Sequence, residues 1–328
     1  MPEITYREAL RQTLRYQLQN DDRVFLMGED IGAYGGSYAV TKGFLEEFGE
    51  RRVKDTPISE SVVTGAGIGA AMAGLRPMVE LMTINFSLLA IDQIVNNASK
   101  LHYMSNGQIT VPLVLRMAGG AGSQLGAQHS HSLEGWFAHV PGLKVVVPAT
   151  PYDAKGLLMT AFDDESPVVF IEHTALYAAK GEVPEEPYRL PFGRAEIMRQ
   201  GKDVTLIGYS GSVHQAYRAA QQLAEEGIEA EVLNLRTLRP LDIEGIVASV
   251  RKTNRAIVIE DDWKFGGFGG EVVSIIQEEA FDYLDAPILR CSGSDVPMPY
   301  SHDLEQAALP QEADIVALAI DLLEGVTR

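Results

Sequence analysis

Two successive series of uniformly apolar, β-rich runs, each run separated from the next by a helical pattern, constrain this chain more than any other feature. The first series reads VFLMGED, PMVELM, VPLVLRMA, KVVVPA and PVVFIEH; the second reads DVTLIGYS, EAEVLNLR, RAIVIEDD and PILRCSG. Runs that are apolar without alternation suit strands buried on both faces of a parallel sheet, and parallel strands need helical crossovers. The spacing predicts a first helix up to Leu18, opened by the capping box Thr5-x-x-Glu8, and others over 61–75, 88–104 and 151–162. Further helices are expected up to Glu226, up to Lys252 and over 271–280. Between the two series, AKGEVPEEPYRLP (Ala179 to Pro191) concentrates proline and charge without periodicity, the composition of a linker. The expected fold is α/β, with two domains, 1–185 and 186–328, each a mainly parallel sheet flanked by helices.

Composition removes several function classes. With 328 residues, 46% of them hydrophobic, the chain has material for two cores. Its net charge of −18, with no basic tract, disfavours nucleic acid and anionic membranes as partners. Cys291 is the only cysteine, so neither an intrachain disulfide nor a cysteine-cluster metal site is available. The N-terminus MPEITYREAL lacks a charged segment leading into an apolar one, and the apolar stretch Ser61 to Leu75 falls short of the ~20 residues of a membrane span. A cytoplasmic location is the expectation from these features.

Four local patterns invite a chemical reading. Gly65-Ala66-Gly67-Ile68-Gly69-Ala70 fits the dinucleotide fingerprint G-x-G-x-x-A, which would make an NAD-binding oxidoreductase. That loop needs a buried strand ending at its first glycine, whereas RRVKDTPISESVVT supplies a proline and polar side chains; a small-residue packing helix is the simpler reading. GYSGS (Gly208 to Ser212) places serine where a nucleophile elbow needs a small fifth residue, which disfavours a hydrolase. His129 and His131 in HSHS do not make a zinc site by themselves. Glu60 leaves two readings open. Buried beside small residues, it would suit proton exchange with a weakly basic ring nitrogen; exposed, it would be a first-turn acid favoured by the helix dipole.

The segments DTPISE and GAAMAGLRP, then ELMTINFSLLAIDQIVNNASK, AQHSHS, PGLKVVVPATPYDAKGLL and DVPMPY, resemble one family in order along essentially the whole chain. It is the beta subunit of the thiamine-diphosphate-dependent 2-oxoacid dehydrogenase component. The resemblance implies a transketolase-like architecture, a pyrimidine-binding domain followed by a transketolase C-terminal domain. It implies that Glu60 hydrogen-bonds the pyrimidine ring nitrogen of thiamine diphosphate and that Phe86 packs on that ring. Ile58 and Met82 would lie in segments lining the pocket, and Glu29 and Asp92 would belong to buried carboxylates linking two active sites. His129 would assist acyl transfer to a lipoyl arm; His131 has no role fixed by the resemblance. Leu113, Ala161, Phe162, Asp164 and Ser166 match a monovalent-cation site, for potassium, built largely from main-chain oxygens.

The chain has no G-D-G motif of the kind that holds magnesium and diphosphate, and the resemblance assigns that half-site to a partner alpha subunit. The implied form is an α2β2 heterotetramer docked on a dihydrolipoyl acyltransferase core and served by its lipoyl domain. Its implied substrate is a 2-oxoacid, pyruvate first, with branched-chain 2-oxoacids and acetoin as the alternatives.

Overall fold

The computed structural model describes residues 1–325. They form two compact units: Met1–Gly119 with Trp136–Phe192, and Gly120–Gly135 with the chain from Gly193 onward. The sequence reading placed one joint near residue 185; the units divide at 192/193, and the segment 120–135 clusters with the second.

The first unit opens with strand β1 (Glu3–Thr5) and helix α1 (Tyr6–Asn20). Thr5 caps α1 by accepting the Glu8 N–H at 3.1 Å, as the capping pattern predicts. Tyr6, Leu10, Leu14 and Leu18 fall on one face at helical spacing and are buried in the core beside Leu157, Leu158 and Phe162 of α6 (Pro151–Asp163). Between these helices run β2 (Val24–Gly28), α2 (Phe44–Phe48), β3 (Val53–Asp55), α3 (Glu60–Met72) and β4 (Arg76–Leu81). A 3-10 helix (Ile84–Ala90), a π-helical turn (Gln93–Ala98), α4 (Leu101–Met104), β5 (Val114–Gly119), α5 (Glu134–Ala138) and β6 (Lys144–Val146) follow. After α6 come β7 (Val168–His173) and β8 (Lys180–Glu182), the latter pairing antiparallel with β1. Strands β6, β7, β5, β4, β2 and β3 lie side by side in that order, every pair parallel. All residues of β2, β5 and β7 are buried, which is why their sequences carry no alternation.

The expected continuous helix over 88–104 is the one element the structure breaks. Ser99 Oγ donates to the Val95 carbonyl, a back-bond that competes with regular helix hydrogen bonding, while Asn96 and Asn97 bond the side chains of Asp92 and Gln93. Gly142 also passes so close that a Cβ there would lie 2.1 Å from the Ser99 carbonyl oxygen.

The second unit holds β9 (Glu196–Arg199), β10 (Val204–Gly208), α7 (Ser212–Glu225), β11 (Ala230–Asn234), the short β12 (Thr237–Arg239) and α8 (Ile243–Thr253). It continues with β13 (Ala256–Trp263), α9 (Gly269–Ala280), β14 (Leu289–Gly293), α10 (His302–Ala308) and α11 (Glu312–Glu324). Its sheet runs β14-β13-β10-β11-β9, parallel except for the antiparallel edge strand β9.

Candidate active site

Strand order locates a site in the first unit. The chain leaves β2 for the edge strand β3, then returns through α3 to β4 on the other side of β2. The carboxyl ends of β2 and β4 therefore flank a topological switch point, where an open α/β sheet leaves a crevice for a ligand. Glu29 directly follows β2, Glu60 opens α3, and Met82 directly follows β4.

Two carboxyl groups meet there. The Glu29 carboxylate accepts the Ser59 backbone N–H, and its pKa is raised, first by burial and then by the charge of Glu60. Glu60 is 5% exposed and sits in the first turn of α3, whose partial positive charge favours an anion. Of the two sequence readings of Glu60, the buried one is the one the fold realises. The loop that follows Glu29 is pinned by Asp55, whose carboxylate accepts the N–H groups of Gly32 at 2.5 Å and Ala33 at 3.0 Å. A Cβ on Gly32 would lie 2.9 Å from that carboxylate, so a larger residue there would push the Asp55 side chain aside.

Around this pair lies an unusual set of unsatisfied polar atoms. Glu29 Oε1, Thr56 Oγ1, Thr64 Oγ1, Thr83 Oγ1 and both amide atoms of Asn85 are buried without a hydrogen-bond partner among the described residues. Buried polar atoms are normally paired. This set, on segments beside the ends of β2 and β4 and the start of α3, offers donors and acceptors to a small heteroaromatic ring. Met82 and Phe86 are half-buried on the segment after β4, while Ile58 is 83% exposed together with Val62 and Leu89. Asp92 is exposed on this chain, and its Oδ1 accepts from Asn96 at 2.7 Å.

The glycine fingerprint does not form a phosphate loop. Helix α3 already starts at Glu60, so Gly65, Gly67 and Gly69 lie in the helix interior and not at a strand-to-helix turn. A Cβ on Gly67 would lie 2.5 Å from Val79 of β4, which makes this glycine a packing position. In GYSGS, Ser210 has φ +53° but is buried, and its Oγ has no hydrogen-bond partner among the described residues; no base activates it.

Three of the five main-chain oxygens expected to hold a monovalent cation, those of Leu113, Phe162 and Asp164, already have protein donors. Arg76 donates to the carbonyls of Phe162 at 2.7 Å and Asp164 at 3.1 Å, and the Val168 N–H donates to the Leu113 carbonyl at 2.9 Å. The Asp164 carboxylate pairs with Lys144 and accepts the Ser166 N–H at 2.8 Å. Ala161 lies buried in the last turn of α6.

His129 belongs to the second unit, on the segment 120–135. It is half-buried, and its N–H donates to the Gly126 carbonyl at 3.2 Å. His131 stands edge-on to Trp263 with ring centroids 5.7 Å apart. Burial lowers its pKa, a backbone hydrogen bond with Ala127 opposes that, and its buried Nδ1 is unpaired among the described residues. Composition gave no hint of the acids near this segment. Burial pushes the Glu134 carboxyl up to about 8, helped by the charges of Asp262, Asp261 and Glu260, and pushes Asp262 up to about 7. Glu260 is fully buried yet served by the Gly269 N–H at 2.7 Å, by Ser292 at 2.9 Å and by Arg290 at 2.5 Å. The signal for Glu134 in the sequence is a lone carboxylate inside the apolar run SLEGWFAHV.

Known proteins resemble this chain along its length. The family model for the transketolase pyrimidine binding domain matches residues 2–180, and that for the transketolase C-terminal domain matches 193–315. Pyruvate dehydrogenase E1 component subunit beta of Rickettsia felis is 49% identical over 314 residues, spanning 96% of each chain. The mitochondrial subunit beta-2 of the same component from Oryza sativa subsp. japonica is 52% identical over 321 residues, 97% of this chain and 85% of the relative. A split-gene transketolase solved as an inactive beta4 tetramer superposes with a TM-score of 0.80 over 98% of both chains; at 24% identity it bears on the fold alone.

Proposed function

Because this chain belongs to the family of pyruvate dehydrogenase E1 component beta subunits, we propose that it is the beta half of a thiamine-diphosphate-dependent enzyme that oxidatively decarboxylates pyruvate and passes the acetyl group to lipoyl groups. The observation that carries the reading is the Glu29–Glu60 pair at the switch point between β2 and β4, ringed by unpaired buried polar atoms. Both the donor set and the half-buried Phe86 fit an aminopyrimidine ring.

In this reading Glu60 holds a proton at the pyrimidine ring nitrogen and gives or takes it as the ring changes tautomer. Glu29, whose pKa is raised by burial and by Glu60, keeps a proton more readily than a free carboxyl and so hands one on or shares one with its neighbour. Phe86 and Met82 supply apolar contact to the ring, and Ile58 contributes where a second chain covers it. Thiamine diphosphate, when bound, supplies the nucleophile for the keto carbon and the electron sink for decarboxylation. His129 serves the later transfer, donating a hydrogen bond or a proton to the accepting sulfur arm.

The chain is incomplete as an enzyme by this reading. It has no G-D-G motif, and among the described residues no group of three or more His, Cys, Asp or Glu is arranged to hold a metal. An alpha subunit would hold magnesium and the diphosphate, in an α2β2 assembly. The exposed Ile58, Val62 and Leu89 supply apolar surface of the kind a partner covers. A potassium ion at Leu113, Ala161, Phe162, Asp164 and Ser166 would have to share two carbonyls with Arg76, and the reaction as described needs none. The net charge of −18 suits docking to a basic patch on the acyltransferase core. No helix among the described residues is long and apolar enough to cross a membrane.

The test is co-expression with a cognate alpha chain and an assay of thiamine-diphosphate-dependent turnover of pyruvate, branched-chain 2-oxoacids and acetoin. Pyruvate is expected to have the highest kcat/KM. Cofactor binding without turnover of any 2-oxoacid would refute the proposal.

A further inference from the structure

We propose that Glu305 is a positioning residue for the loop that carries His129, an inference that rests on the role in acyl transfer given to His129 above. Both residues belong to the second unit. The loop closes on itself at its base, where the Gly120 N–H donates to the His131 carbonyl at 2.9 Å. Within it, Gly122 (φ +94°), Gln124 (φ +55°) and Gly126 (φ +74°) all take left-handed backbone angles. Alternating left-handed residues turn successive N–H groups towards one side, forming a concave nest that binds an anion.

Glu305 of α10 is the anion in this nest. Its side chain has no exposure, and it reaches across more than 180 residues of sequence to the loop. Oε1 accepts the N–H groups of Gly122 at 3.0 Å and Gln124 at 3.1 Å, and Oε2 accepts the Gln124 N–H at 3.1 Å. Gln124 is not glycine, so its left-handed angle is a strained one that these charge-assisted bonds offset. The same segment of chain braces the loop a second time. Tyr300, just ahead of α10, sits where a Cβ on Gly126 would fall, 2.5 Å from the ring, and the His129 N–H donates to the Gly126 carbonyl. Gly126 is thus both the seat of Tyr300 and the acceptor for the catalytic histidine's own amide.

A buried carboxylate spent wholly on two loop amides does no chemistry of its own. Without it, the Gly122 and Gln124 amides turn to water and the loop relaxes from its left-handed turns. His129 then loses its fixed direction, whereas the Glu29–Glu60 pair, which belongs to the first unit, keeps its own hydrogen bonds. Loss of position by about an ångström is worth on the order of a hundredfold in rate.

The experiment uses the assembled enzyme with its alpha partner and compares wild type, Glu305→Ala, Glu305→Gln and His129→Ala. Two rates are read at saturating 2-oxoacid: acetyl transfer to a free lipoyl domain, and turnover with ferricyanide as electron acceptor. Amide exchange of the peptide spanning residues 120–128 is followed by mass spectrometry. For Glu305→Ala the ratio of transfer to ferricyanide turnover is expected to fall at least about tenfold, as in His129→Ala. Amide protection in 120–128 should be lost in Glu305→Ala and kept in His129→Ala. Glu305→Gln, with one acceptor oxygen left, should fall between, and it carries the test if Glu305→Ala does not assemble. An unchanged ratio with unchanged protection, or an equal drop in both rates, overturns the positioning role. If His129→Ala itself leaves the ratio unchanged, the role of His129 fails instead.

Discussion

Replacing Glu134 by glutamine isolates a single buried proton. The carboxyl of Glu134 is pushed from 4.5 to about 8, first by burial and then by the charges of Asp262, Asp261 and Glu260. Folding therefore requires the carboxyl to take up a proton at any pH between those two values. The sign follows from linkage: the unfolded state binds fewer protons than the folded one, so stability falls as pH rises through this window. Below about pH 4.5 both states are protonated and the group contributes nothing; above about pH 8 both are ionised and the penalty stays constant. Each pKa unit is worth about 1.4 kcal/mol, so at pH 7 the neutral carboxyl costs about 3 kcal/mol. Glutamine keeps the size, the donor and one acceptor oxygen but does not titrate. Glu134→Gln should accordingly be more stable by about 3 kcal/mol at pH 7, with the gain shrinking by about 1.4 kcal/mol per pH unit towards zero near pH 4.5. Urea unfolding of both proteins at pH 5, 6, 7 and 8 reads this directly. A stability difference that does not change with pH, or a less stable variant at pH 7, would refute the assignment of a neutral buried acid.

Three further substitutions probe the first unit. Gly67→Ala should destabilise by about 1–3 kcal/mol, because its Cβ would press on Val79 at 2.5 Å. Gly69→Ala meets nothing within 4 Å and should stabilise the isolated chain by about 0.5–1 kcal/mol, both variants being read by urea unfolding. If both behave alike, packing against β4 is not what the glycines of α3 are for. Arg116, 2% exposed, holds Glu172 through bonds of 2.5 and 2.6 Å and also pairs with Glu80. Arg116→Leu strands two buried carboxylates and should lower the unfolding free energy by about 3–5 kcal/mol at pH 7 in urea unfolding. Equal stability of this variant and wild type at pH 7 would contradict the pairing.

The strands were legible in the sequence because burial on both faces removes polar residues from them. Val24–Gly28 and Val168–His173 needed no context to be recognised. Helix α1 was equally plain, through its cap and its spacing of apolar residues, whereas the stretch read as a linker, 179–191, lies within the first unit and carries β8. The interrupted stretch around Asn96, Asn97 and Ser99 was not plain, since the apolar periodicity continues through the break and only Ser99 bonds a backbone carbonyl there. Glu60 stood out only as an acid next to small residues, and its partner Glu29 could not be found from spacing, because strand order and not sequence brings them together. Glu305 was invisible for a stronger reason. In HDLEQAALPQ it looks like one more solvated helix acid, and its burial depends on a loop more than 180 residues earlier. Residues whose role is set by long-range backbone contacts leave no local trace.

In the proposed function Glu60 moves a proton on the cofactor's pyrimidine ring. It is tested most directly by deuterium exchange at the thiazolium C2 of thiamine diphosphate bound to the assembled enzyme, wild type against Glu60→Gln. Exchange is expected to slow by about 10²–10⁴-fold in the variant, while the cofactor Kd changes by less than about tenfold. Exchange at the wild-type rate in Glu60→Gln, with the cofactor bound, would contradict it.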